Sequence, residues 1–309
     1  FVIEWRKQGK GKWAEMREGT AGPQEFREEL ASSRDGTEIR CQVRGRGPGL
    51  VLLPGANSSA GHYRELASAL AADFTVYTMI RRGRTGSGPQ GPEYSLAKEA
   101  EDVSAVLAKT GSRFLFGHSS GAALALETAL AAGPALDKLA LYEPPYQLRD
   151  DWLPAFENLL KTGDYVAGQV AALEGLGVSP LLKKADRSRL TQVFAAYYRG
   201  VRYKDLPELL LPLPAEIRAV KKATDQPGRY AAVGTETLLL WGEATEERLR
   251  RGAGVYGGII GRCRPLCLPA LDHSGPQVRP AVAGCLLDFF LAPAKTGLRH
   301  EHEGADPGV

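Results

Sequence analysis

The sequence predicts an α/β domain built on a mostly parallel sheet. Three observations predict it: strand and helix patterns alternate over residues 28–143, the interior strand segments are continuous apolar runs, and about 90 residues of purely helical pattern interrupt the alternation before it resumes. A continuous apolar run suits a strand covered on both faces, and alternation with helices suits right-handed parallel crossovers.

The elements follow in order. ELASSRDGTEIRCQV places Asp35-Gly36 between two short alternating runs and reads as a β-hairpin. After the turn-rich GRGPG comes the apolar strand LVLLP, then helical spacing in HYRELASALA, the strand FTVYTMI, the loop RRGRTGSGPQGPEYS and the helix LAKEAEDVSAVLAKT. RFLF, the turn GHSSG, the helix AALALETALAAG and the strand DKLALYE extend the series. Residues 144–234 then carry helical patterns only, in DDWLPAFENLLKT, YVAGQVAALEGL, DRSRLTQVFAAYYRG and AEIRAVKKAT, and are expected to form an inserted cap. The sheet pattern resumes with ETLLLWG, a short helical stretch at EERLRRGAGVYGG, the strand RCRPLCLP and the closing helix VRPAVAGCLLDFFL. Residues 28–143 and 235–291 therefore form the core. Residues 1–27 and 292–309 are polar and aperiodic, and are expected to be flexible extensions.

With 43% hydrophobic residues the 309-residue chain can bury a substantial core, and a net charge of only +3 gives no overall field for nucleic acid or a membrane surface. No apolar run is long enough to span a bilayer and no leader pattern opens the chain, so a cytoplasmic protein is expected. Cys41, Cys263, Cys267 and Cys285 lack C-x-x-C spacing; reduced, buried thiols are expected rather than a metal site.

The chemistry concentrates in Gly117-His118-Ser119-Ser120-Gly121. A nucleophile raised on a tight strand-to-helix turn crowds the positions two before and two after it, and glycine at both relieves that crowding. RFLF before the motif and a helical pattern after it supply the required context, so Ser119 is the candidate nucleophile. Serine needs a general base, and His273, late in the chain after the last strand, is the candidate; His62, His118, His300 and His302 are less suitably placed. Glu143 ends DKLALYE at the same carboxyl edge of the sheet as Ser119 and is the favoured third member, with Glu246, Glu243 and Asp272 as alternatives. The oxyanion donors are expected to be the backbone N–H groups of Ser120 and of Ala56, with Asn57 as the latter's substitute.

With these residues in place the chain resembles the α/β-hydrolase superfamily over residues 30–291. PGAN is similar to the superfamily's His-Gly oxyanion loop with Pro54 in place of His, and RRGRTGS is similar to its D-x-R-G-x-G-x-S loop with Ile80 in place of Asp. Measured from Trp241-Gly242, Thr245 occupies the position where the fold often carries its Asp. Two branches place the acid one strand earlier, which supports Glu143. The haloalkane dehalogenases do so with an Asp nucleophile, against which Ser119 argues; the polyketide thioesterases do so as well, and FGHSSGAALALETA resembles their FGHSxGA stretch.

The resemblance implies an α/β-hydrolase fold with an inserted helical cap and hydrolysis of a small or medium hydrophobic carboxylic ester, without metal or organic cofactor. Thioester hydrolysis or cyclisation and a non-catalytic ligand-binding role are the alternatives. GRGPG precedes a strand rather than joining strand to helix, so a dinucleotide loop is not expected. Arg81, Arg82 and Arg84 read as a solvated loop or structural ion pairs before they read as an anion site. Trp152, Phe156, Phe194, Tyr197 and Tyr198 read as packing, with some free to line an acyl pocket.

Overall fold

The computed structural model describes residues 4–7, 13–16, 26–178, 186–198 and 205–293. An antiparallel pair, β1 (Glu4–Lys7) and β2 (Trp13–Met16), forms a small sheet of its own in a stretch that reads as aperiodic. The rest of the expected extension at 1–27 and nearly all of the tail at 292–309 lie outside the described residues.

The main sheet has eight strands: β3 (Arg27–Ser32), β4 (Glu38–Arg44), β5 (Gly49–Leu53), β6 (Thr75–Met79), β7 (Phe114–His118), β8 (Lys138–Tyr142), β9 (Glu236–Gly242) and β10 (Cys263–Leu268). Their order is β10-β9-β8-β7-β5-β6-β4-β3. The β3–β4 hairpin forms through Asp35-Gly36 as its turn chemistry dictates; β4 also runs antiparallel to β6, and every other pairing is parallel. All five residues of β6 and of β8 are buried, as interior strands require, whereas β10 at the edge is largely open to solvent.

Side chains alternate across a strand, so one sequence feeds two cores. Val51, Leu53, Leu115, Leu139 and Leu141 pack on one face, where α2 (Leu96–Thr110) and α3 (Ser120–Ala132) lie. Leu50, Leu52, Phe116, Ala140 and Tyr142 pack on the other, against α1 (Arg64–Leu70) and the closing helix. Each fully buried aliphatic side chain contributes roughly 1.5–3 kcal/mol. α2 spans its predicted pattern because Ser95 caps it, accepting from the Lys98 N–H at 3.2 Å, and Gly111 at φ 66° ends it.

Between β8 and β9 the described residues form α4 (Leu153–Lys161), α5 (Tyr165–Leu176), α6 (Arg187–Tyr197), α7 (Asp205–Leu210) and α8 (Leu213–Thr224). The sequence shows no pattern for α7, whose DLPELL holds a proline and abuts two more; Pro207 falls in the first turn, where a helix tolerates it. After β9 come α9 (Glu247–Ile259), longer than the short stretch expected, α10 (Gly275–Val278) and α11 (Pro280–Phe290). GRGPG is the β4–β5 turn: Gly45 has φ 89°, and a Cβ there would lie 2.2 Å from the Phe74 carbonyl oxygen. Cys41 alone is buried; Cys267 is exposed because it lies on the edge strand, a correction to the expectation of buried thiols. Among the described residues no helix is long and apolar enough to cross a membrane.

Candidate active site

The carboxyl ends of β7 and β8 meet the loop after β5, and the candidate residues gather there. Ser119 links β7 to α3 with φ 55° and ψ −122°, a strained conformation for a residue with a Cβ. The flanking glycines are required by contact: a Cβ on Gly117 would lie 2.3 Å from the Gly121 carbonyl oxygen, and one on Gly121 would lie 2.3 Å from that of Leu53. The Ser119 N–H donates to the Tyr142 carbonyl at 2.9 Å, tying the turn to the neighbouring strand.

Glu143 follows β8 with φ 49° and is fully buried. Its N–H donates to the Leu240 carbonyl at 3.0 Å, and Oε2 lies 2.6 Å from Nδ1 of His273. Oε1 accepts from the Gly242 N–H at 2.8 Å, and Oε2 also accepts from the Thr245 hydroxyl at 2.9 Å. Thr245, standing where the fold often carries its acid, thus supplies a donor to the acid instead. The other candidates are engaged elsewhere: Asp272 accepts from Ser274, Glu243 accepts from the Ala270 N–H, and Glu246 opens α9.

The His118 side chain leaves the turn for the core, as its place beside Ser119 suggests. Its Nδ1 lies 2.6 Å from the Tyr63 hydroxyl, which accepts from the Gly55 N–H at 2.9 Å. Burial, and then the nearby His273, hold its imidazole well below the ordinary range, so it stays neutral. Its ring lies 4.7 Å from that of His273 and packs against it.

The loop after β5 runs beside the nucleophile: a Cβ on Gly55 would lie 3.2 Å from Cβ of Ser119. With the Gly55 N–H taken by Tyr63, the next along is that of Ala56, for which no acceptor occurs among the described residues. Asn57 follows at φ 54° and completes the turn. Ser120 is the first residue of α3, where an N–H has no acceptor within the helix. Its hydroxyl is committed, accepting from Arg81 Nη1 and donating to Glu216 Oε1, both at 2.7 Å.

The arginines after β6 are buried ion pairs, not a solvated loop. Arg81 makes a two-pronged contact with Glu99 at 2.6 and 2.7 Å and pairs with Glu216 of α8. Arg82 pairs with Asp102 of α2 and with Asp35 of the hairpin turn, and Arg84 reaches Glu216 Oε2 at 2.7 Å. Burial raises the Glu216 carboxyl, but the Arg81 and Arg84 guanidiniums outweigh it and hold the group below its ordinary value. Sequence reasoning missed Glu99, Glu216 and Tyr63, which no pattern marks; it singled out the position of Thr245 but gave that residue no role. A cavity of about 430 Å³ opens beside the loops after β5 and β6, with a lining that includes Pro54, Ser58, Arg84, Tyr197 and Leu209. Phe156 is packing, as read, whereas Tyr197 is exposed and borders that cavity. No cluster that could hold a metal ion occurs among the described residues.

Comparison with known proteins bears on the family and the fold. The chain is 36% identical over 105 residues to the N-formylmaleamate deformylase of Pseudomonas putida, a match covering 33% of this chain and 39% of that protein. It therefore spans about two fifths of the length of the first curated relatives it matches, an uncharacterized hydrolase of Bacillus subtilis among them. The crystal structure of an alpha/beta hydrolase from Sphaerobacter thermophilus is similar at 30% identity, with a TM-score of 0.71 over 85% of this chain and all of that one. That of an esterase from a Rhodococcus species is similar in fold, at 21% identity and a TM-score of 0.60, covering 85% and 98% of the two chains. The model of the Alpha/beta hydrolase family matches residues 50–283, which hold the β5 loop, the elbow, Glu143 and His273, and the chain belongs to that family.

Proposed function

We propose that this hydrolase cleaves a carboxylic ester through an acyl-enzyme on Ser119. The observation that carries the reading is the buried contact of Glu143 with Nδ1 of His273, at the edge of the sheet where the strained Ser119 stands. A carboxylate on Nδ1 fixes the ring so that Nε2 is the basic nitrogen, and it stabilises the imidazolium that forms.

His273 takes the Ser119 hydroxyl proton as Oγ attacks the ester carbonyl. The resulting oxyanion is held by the N–H groups of Ala56 and Ser120, and its collapse expels the alcohol, which receives the proton from His273. Water then repeats the sequence on the acyl-enzyme and releases the acid. Side chains and backbone N–H groups suffice for every step. The described helices between β8 and β9, α4 to α8, are read as the cap over the acyl pocket. Acyl-thioester cleavage is a second reading, favoured by the acid's position after β8.

A fluorophosphonate probe tests the proposal: the wild-type protein is expected to be labelled on Ser119 and Ser119→Ala to be unlabelled. Undiminished labelling of that variant overturns the reading. Short nitrophenyl esters compared with acyl thioesters then divide the two substrate classes.

A further inference from the structure

We infer that the cavity beside the β5 loop receives an acyl group bearing a carboxylate and that Arg84 selects it, an inference that rests on the proposed serine chemistry. The three arginines after β6 are not equivalent. Arg81 sets Nε, Nη1 and Nη2 on protein acceptors, and Arg82 does the same with Asp102 and Asp35. Arg84 gives only Nη2 to Glu216, and it lines the cavity. It is 6% exposed, its Nε is buried with no acceptor, and Nη1 has none among the described residues.

A guanidinium with open donors, taken out of water, is a poor structural group and a good ligand-binding one, because its donors regain partners only when an acceptor enters. Charge favours a carboxylate over a neutral acceptor. Arg81 holds Glu99 in a two-pronged pair besides reaching Glu216, whereas Arg84 has Glu216 alone and shares it with Arg81 and with the Ser120 hydroxyl, so it is the least compensated charge of the cluster. Glu208, the acid on the wall, is exposed, where water screens it. The cavity also adjoins the chemistry: Pro54 on its wall precedes Gly55, which abuts Ser119, and Arg81 on the same wall holds the Ser120 hydroxyl. Its volume of about 430 Å³ accommodates a short acyl chain.

The experiment compares monomethyl esters of the dicarboxylic acids from succinic to adipic with their dimethyl counterparts. For at least one chain length, kcat/KM of the wild-type enzyme is expected to favour the monoanion at least tenfold. Arg84→Gln is expected to reduce that ratio at least tenfold and Arg84→Lys to restore part of it; the ratio cancels any loss of folded protein. Titration of Ser119→Ala with the same pairs reads binding alone, with the same preference expected and its loss when Arg84→Gln is added. No preference for the monoanion in either measurement, or a preference that survives Arg84→Gln, overturns the inference. Preferential binding without turnover by the wild-type enzyme leaves the carboxylate site standing and sinks the serine chemistry instead.

Discussion

A carboxylate sealed from water and held by His273, the Gly242 N–H and the Thr245 hydroxyl has little freedom to turn, and its charge is directed at one nitrogen. Replacing Glu143 by Gln is therefore expected to lower kcat by roughly 10³-fold or more, since an amide favours the wrong tautomer of the histidine, whereas Glu246→Gln should change it by less than about threefold. Steady-state kinetics on one ester check both; the reverse ranking would return the acid to the loop after β9. Thr245→Val removes one donor to the charged group and should lower kcat by about tenfold, as a lost hydrogen bond to a carboxylate implies. At this scale the serine and histidine were legible because motif and chain order mark them. Which carboxylate meets His273 was legible only as a preference among candidates, since partners 99 to 130 residues away decide it. The donors around it were not legible, because a threonine and a glycine N–H carry no pattern of their own.

The strand-to-helix turn is governed by steric limits rather than by favourable contacts. Gly121→Ala would push a methyl group against the Leu53 and Pro54 carbonyls, at 2.3 and 2.6 Å from an unrelaxed backbone. It is expected to cost about 3 kcal/mol, the upper range for overpacking, measured as a lowered midpoint in urea. Elements with strong periodicity, such as α2 and the buried interior strands, could be read directly from the sequence. α7 could not, because prolines that sit harmlessly in a first turn look like breaks from one dimension. The arginine loop could be read only as far as a choice between solvent and ion pairs. Three cations in four residues fit either, and only the fold brings Glu99, Asp102 and Glu216 around them.

Across the whole molecule, Glu216 ties α8 to the arginine loop and to the first residue of α3, so one carboxylate joins the helical segment to the elbow. Removing one partner of a buried ion pair leaves the others uncompensated; Glu216→Gln is expected to destabilise by about 3 kcal/mol or more in urea unfolding. The pH dependence has a definite sign. The folded-state value of Glu216 lies below its ordinary 4.5, so its contribution is complete above that pH and is lost as acid is added below it. Wild-type stability should therefore fall on acidification from pH 5 to pH 3 more steeply than that of Glu216→Gln. Two backbone bonds hold the site, Ser119 N–H to the Tyr142 carbonyl and Glu143 N–H to the Leu240 carbonyl. These stitch the chemistry to β8 and β9, interior strands paired on both sides. Amide hydrogen exchange at Ser119 and Glu143 should thus be among the slowest in the chain, and catalysis should survive fraying of the outer strands and vanish only at the final, cooperative opening.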